Sequence, residues 1–306
     1  MVELAVMIEG QDGLNWPRWR RLAEAAEGLG YAGLYRSDHF VIRDGGYQDA
    51  LELWVSLTWL ASHTSRIEFG PMVSPVSFRD PVITAWQAMA VDDLSGGRLR
   101  LGLGAGWNER EHRSFGYDLL DLDQRFARFQ EGIKVVRLLM GSDEPVSFSG
   151  EYYRLDDAQM LPRPARLGGP PIVIGGKGPR RTLPLVARYA DEWNATSMPT
   201  ARLQELNVRL DDLIRQEGRQ PSDVRRTLMT RVIFGRDDAD LRRQTEGLDV
   251  AAMRERGSII GTPNEVVEAL GRFAEAGAAR VMCQWLDQDD IAGLEAMAAT
   301  VMPRVA

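Results

Sequence analysis

The chain has 306 residues, 44% of them hydrophobic and 26% charged, which is ordinary globular composition with length for two domains or one large barrel. A formal net charge of −7 argues against nucleic-acid binding, which calls for a concentrated basic face. The single cysteine, Cys283, excludes an internal disulfide framework, and no apolar run reaches the roughly 20 residues of a membrane span.

The opening MVELAVMIEGQDG has no basic region and only a short apolar run before Glu9, so it reads as a strand over residues 3–8 and not as a signal peptide. Residues 15–30 carry Trp16, Trp19, Leu22, Ala26 and Leu29 at helical spacing and stop at Gly30. A second strand over 32–37 runs without a break into Arg36, Ser37, Asp38 and His39. A helix over 49–65, a strand over 67–73, a helix over 80–95 and a strand over 98–104 follow. The strand at 171–175 leads into a helix that runs through 190. Pro184 is accommodated if that helix starts near Leu183 with Thr182 as its N-cap. Strand 192–197, helix 200–217, strand 227–234, helix 264–276, strand 279–286 and helix 289–302 complete the chain.

Eight strands, each followed by helical sequence, imply a parallel sheet and favour a closed (β/α)8 TIM barrel over an open doubly wound sheet, although periodicity alone does not decide closure. No linker, low-complexity tract or repeat interrupts the alternation, so residues 1–306 are read as one domain. Two stretches exceed the minimal unit. Residues 107–169 hold a long helix and a hairpin around VSFSGEYYRL, and 236–262 are polar and arginine-rich. On a barrel such excursions lie at the C-terminal face, which makes both candidate walls of a substrate pocket.

Several motifs carry chemistry. GLGAG, residues 102–106, fails as a dinucleotide fingerprint, because Trp107 stands at the third glycine position and the run follows a fourth strand. A tight turn and a close approach of backbone to a flat ligand both remain open for it. In PPIVIGGKGPRRTLPLVARYADEWN the loop Gly175, Gly176, Lys177, Gly178 precedes a helix, with Arg180 and Arg181 beside it. Phosphate binding is favoured there over an exposed basic turn. PMVSPVSFRDP, with three prolines, reads first as a rigid loop, with a bulge or cis bond as the alternative. Of three histidines, His63 lies near a helix end and His112 in a charged loop. His39, at a strand end, is the candidate catalytic group, with Asp38 beside it to orient the imidazole or raise its pKa. No cysteine or histidine spacing suggests a metal site, nor is there a P-loop or nucleophile elbow.

The stretches GLYRSDHF, SRIEFGPMVSPVSFRDP, LSGGRLRLGLGAGWNEREH, RFQEGIKVVRLL, residues 170–194 and IIGTPNEVVEAL together resemble the luciferase-like monooxygenase superfamily, a (β/α)8 group that binds FMN or the deazaflavin coenzyme F420. The combination of GGKGPRRTLPLVARYADEWN with GLGAGWNE is most similar to the F420-dependent branch. The resemblance implies that Asp38 and His39 sit beside the reactive face of the ring, with His39 exchanging a proton during hydride transfer. It also implies a non-proline cis peptide bulge at Pro71 and Met72, with Gly104, Ala105 and Gly106 lying along the cofactor and Asn108 following them. Gly175, Gly176, Lys177 and Gly178 are then the phosphate loop. Trp107 replaces a glutamate that some sugar-phosphate dehydrogenases of that branch carry, which argues against a sugar-phosphate substrate. Trp54 and Trp107 are candidate pocket residues, each equally a core residue by its type.

The expectation is therefore an F420-dependent oxidoreductase acting on a small organic molecule. An FMN-dependent monooxygenase using oxygen and a non-catalytic flavin-binding barrel are the alternatives. A cytoplasmic location is expected, with no membrane or nucleic-acid partner, and a homodimer is what the resemblance suggests.

Overall fold

Eight parallel strands follow one another round a barrel with helices on its outside. The structure is a computed structural model and describes residues 1–305. In chain order the barrel strands are Glu3–Ile8, Gly33–Arg36, Glu68–Pro71, Leu101–Gly104, Ile172–Gly175, Glu192–Thr196, Arg225–Phe234 and Arg280–Gln284. Pairing passes from the third strand through the second, first, eighth, seventh, sixth and fifth to the fourth.

Two short pairings span the remaining gap between the third and fourth strands. The Phe69 N–H donates to Arg98 O at 3.2 Å and the Arg100 N–H to Phe69 O at 2.8 Å. Higher up, a continuation of the third strand, Ser74–Pro75, pairs with Leu103 and Gly104. The sheet is thus a nearly closed barrel and not an open doubly wound sheet. The third strand differs from the continuous run expected over 67–73. It is interrupted after Pro71, and the cis bond lies between Met72 and Val73, one residue beyond the Pro71–Met72 position.

Local chemistry sets the helix limits. Asn15 accepts the Arg18 N–H at the start of helix Trp16–Leu29, Pro17 supplies a preset φ, and Gly30 closes the helix at φ 82°. Asp80 caps helix Pro81–Leu94 through the N–H groups of Val82 and Ile83. Arg181 occupies the cap position of helix Thr182–Tyr189 without any side-chain cap bond, so this helix begins one residue earlier than Thr182 capping would give. Pro184 falls in its first turn, where no intrahelical N–H is needed.

The barrel interior is layered. At the N-terminal end of the strands Glu3, Glu68, Arg100, Arg225 and Arg280 form an ion-pair network, beside the buried Glu192, which accepts from Thr227 Oγ1. Above it Ala5, Met7, Tyr35, Met72, Val173 and Met282 make an apolar layer, with Val73 and Met229 packed against it. The functional cavity rests on that layer, since Met7, Met72, Val73 and Met229 also line it.

The two insertions differ in what they do. The long helix, Leu122–Gly141, packs against helix Pro81–Leu94 and holds the ordinary place of the helix after the fourth strand. What is added in 107–169 is the short helix Glu109–Phe115 and the antiparallel hairpin Val146–Ser149 with Arg154–Ala158. The segment 236–262 forms helices Asp238–Gln244 and Val250–Glu255 and a short strand, Ile259–Gly261, beside the seventh strand. Contrary to expectation it contributes no wall to the functional cavity; Arg236, Asp240 and Gln244 line a separate surface groove. Among the described residues no helix is long and apolar enough to cross a membrane.

Candidate active site

A cavity of about 550 Å³ opens at the C-terminal ends of the strands. Gly104, Ala105, Gly106, Gly175 and Gly176 give it a stretch of wall without bulky side chains. A Cβ on Gly104 would run into Val73, so the glycine there reflects close packing of the fourth strand on the interrupted third. Gly106 sits at φ 83°, in the left-handed region, and turns the chain from the strand into the Trp107 loop. The turn reading of the glycine run is therefore realised at Gly106.

His39 lines the cavity from the end of the second strand. Its Nδ1 lies 2.9 Å from Glu111 Oε1 and 3.0 Å from Oε2, which assigns the Nδ1 proton to this carboxylate. Its Nε2 accepts the Trp107 indole N–H at 3.2 Å. Glu111 is fully buried on helix Glu109–Phe115 and also takes the Phe40 N–H at 3.2 Å. Burial works against the imidazolium, but the hydrogen bond and charge of Glu111, with smaller help from Glu9 and Asp38, raise the His39 pKa above the usual histidine value. In a Glu111→Gln variant the His39 pKa is expected to fall. The imidazolium would then be lost at lower pH, as read from an NMR titration of its ring protons.

Asp38 does not play the expected orienting part. Its Oδ2 accepts from Ser74 Oγ and Arg79 Nε, both at 2.9 Å, and its Oδ1 accepts from Arg79 Nη2 at 2.7 Å. The carboxylate thus ties the second strand to the continuation of the third and lies outside the cavity lining. Arg36 is likewise structural. It is buried, donates to the Leu51 and Glu52 carbonyls and to Ser56 Oγ, and burial lowers its pKa to about 10.

Of the other candidates, Pro71 is a buried strand residue and Met72 reaches the cavity. Asn108 caps helix Glu109–Phe115 and donates to Val41 O at 3.1 Å, away from the cavity. Gly178 takes the first turn of helix Thr182–Tyr189 onto its carbonyl, and Lys177 is exposed with its ammonium 3.3 Å from Ser197 O; neither lines the cavity. Trp54 belongs to the outer core, only 3% exposed, and is not a pocket residue. Trp107 does line the cavity. His112 is buried in a helix and not in a charged loop, its Nδ1–H donating to Asn108 O at 2.7 Å. His63 stacks on Trp59 with ring centroids 4.1 Å apart. Burial pushes the Cys283 thiol up to about 12, which leaves it unreactive.

Three polar lining residues, Arg125, Asn194 and Glu9, carry no motif that marks them in the sequence. Arg125 donates Nη1 to Gly106 O and Nη2 to Leu120 O, each at 3.2 Å, while its buried Nε has no partner. Asn194 donates to Thr227 Oγ1 at 3.0 Å and leaves a buried Oδ1 without a partner. Glu9 accepts from Gln11 Nε2 at 3.0 Å and from Gln284 Nε2 at 2.5 Å.

A parallel barrel with an imidazole–carboxylate pair at its strand ends, facing a glycine-lined cleft, defines an enzyme whose chemistry is borne at the C-terminal face. The chain belongs to the luciferase-like monooxygenase family, whose model matches residues 5–256. It is 28% identical over 313 residues to an F420-dependent glucose-6-phosphate dehydrogenase of Kineococcus radiotolerans, covering 92% of this chain and 90% of that one. A 4-hydroxyprotoasukamycin monooxygenase of Streptomyces nodosus subsp. asukaensis is 30% identical over 208 residues, 68% of this chain and 53% of that protein. The fold superposes on an F420-dependent secondary alcohol dehydrogenase, solved with an F420-acetone adduct, at a TM-score of 0.83, covering 100% of this chain and 99% of that one at 20% identity.

Proposed function

We propose that this protein is a coenzyme F420-dependent oxidoreductase acting between the deazaflavin and a small, neutral alcohol or carbonyl compound. The observation that carries the reading is the His39–Glu111 pair, set in the same cavity as the glycine stretches. The names of the relatives support the cofactor class.

The residues present fit such a group. Gly104 to Gly106 and Gly175 to Gly176 admit a flat ring, and the partnerless Asn194 Oδ1 suits a ring N–H. A phosphate would find the Gly176–Gly178 loop, a helix start without a side-chain cap and the free Nε of Arg125. When bound, the deazaflavin would supply the carbon that takes or gives the hydride. His39 Nε2 would accept the hydroxyl proton of an alcohol, or return it to a carbonyl oxygen in the reverse direction. Glu111 would steady the positive ring from the Nδ1 side.

The polar lining supports a neutral substrate. The one guanidinium in the lining, Arg125, gives two nitrogens to backbone carbonyls and its Nε to the cofactor phosphate in this reading, and Glu9 adds a carboxylate. A sugar phosphate would meet that carboxylate without a free cation to hold it, a departure from what the Kineococcus relative is named for.

Titration of the protein with F420 and, separately, with FMN tests the reading. Micromolar or tighter binding of F420 with slow or no oxygen consumption is expected. Tight binding of reduced FMN with none of F420 would establish the oxygen-using alternative instead.

A further inference from the structure

We propose that Trp107 is a displaceable cap on His39: its indole N–H occupies Nε2 in the ligand-free protein, and a substrate hydroxyl must replace it there. This rests on His39 being the proton-exchanging group.

Three observations converge. The indole Nε1 lies 3.2 Å from His39 Nε2, the one ring nitrogen that Glu111 leaves free. The two rings meet edge to face, with centroids 5.4 Å apart and an interplanar angle of 83°, so the contact is a directed N–H bond and not a stack. Trp107 as a residue is nonetheless 53% exposed, and it sits on the short segment between Gly106, at φ 83°, and the start of helix Glu109–Phe115. His39 is therefore held rigidly on one side, by a buried carboxylate, and loosely on the other, by a half-exposed residue beside a turn.

The asymmetry has a chemical consequence. An N–H donor on Nε2 requires the lone pair of the neutral ring, the form present above the His39 pKa, so a capped imidazole can neither receive a proton there nor give one. A substrate with a hydroxyl can offer Nε2 an equivalent hydrogen bond and, in place of the indole, apolar contact against the displaced ring. Trp107 would in this way favour a hydroxyl flanked by an apolar group, since a bare polar solute replaces the hydrogen bond but not the aromatic contact.

The test begins without cofactor or substrate, so that its result does not depend on which flavin binds. The chain has eight tryptophans, and the indole N–H signal missing from Trp107→Phe identifies this residue in the NMR spectrum. The remaining indole signals, if in place, show that the variant has folded. The Trp107 signal is expected downfield and protected despite its exposure, and to exchange about fivefold faster in His39→Phe, the value of one neutral hydrogen bond. With F420 bound and cyclohexanol as the probe, Trp107→Phe is expected to lower KM about fivefold with little change in kcat, because the substrate no longer competes with the indole. An indole signal indifferent to His39→Phe would overturn the cap. So would an unchanged or raised KM in Trp107→Phe with cyclohexanol turned over.

Discussion

His39→Ala is expected to lower turnover by about 10²–10⁴-fold, the range for losing a positioned proton donor or acceptor, while F420 affinity stays within a few-fold of the parent. The two quantities separate because the proposed contacts to the ring and phosphate come from other residues: the glycine stretches, Asn194, Arg125 and the start of helix Thr182–Tyr189. The substitution also strands Glu111. That carboxylate keeps the Phe40 N–H at 3.2 Å but loses its imidazole partner in a fully buried position, so some loss of stability should accompany the loss of rate. Steady-state rates at saturating cofactor, alongside equilibrium binding, make the measurement. Turnover left intact in the alanine variant would remove His39 from the chemistry and place the proton exchange on another group of the cavity lining.

Arg280→Met should be strongly destabilising, by about 3 kcal/mol, the low end for breaking a buried pair, because the guanidinium it removes is buried while its partners Glu3 and Glu68 keep part of their exposure. The Arg280 side chain is only 3% exposed and pairs with Glu3 Oε2 and Glu68 Oε2, each at 2.6 Å, while its Nη1 also donates to the Tyr35 hydroxyl at 2.6 Å. Burial would raise the Glu68 pKa, but the hydrogen bond from Arg100 and the charges of Arg280 and Arg100 hold it at about 2. A carboxylate depressed in this way stabilises the fold fully above its ordinary pKa of 4.5 and loses that contribution as pH falls toward 2. Without Arg280 the Glu68 pKa rises, so acid unfolding of the variant should begin at higher pH as well as from a lower stability. Denaturant titration near neutral pH and an acid titration followed by circular dichroism measure both effects. A stability within 1 kcal/mol of the parent, roughly the error of such extrapolations, would show that the methionine repacks the layer without cost.

How much of this was open to sequence reasoning follows from which interactions are periodic. The strand Glu3–Ile8 and helix Trp16–Leu29 declare themselves through alternation of apolar residues and through Asn15 and Gly30, which are local signals. The interruption of the third strand could be placed only to the nearest residue or so, because the chain at Pro71–Pro75 obeys packing against the fourth strand and not a repeat of its own. His39 stood out as a titratable group at a strand end. Its partner did not, because Glu111 is 72 residues away and no spacing rule joins the two. Asp38 drew the orienting role by adjacency, yet neighbours on an extended chain point to opposite sides, and its carboxylate went to Arg79 and Ser74. Trp54 misled for a related reason: an aromatic on a helix near a site gives no sign of which face it occupies, and here it is the face turned to the outer core.

The charged layer at the foot of the barrel also governs traffic. Arg280, Glu68 and Glu192 fill the N-terminal end of the strands, and the apolar layer above them leaves no passage downward. The cavity opens at the other end of the barrel, where Trp107 is among its lining residues and half-exposed. A large ligand seated deep against the glycine stretches must arrive before a small one that sits above it, and must wait for that one to go before it can leave. Ordered kinetics, with the deep ligand first on and last off, are therefore the expected result, set by residues at the opposite end of the molecule from the cavity mouth.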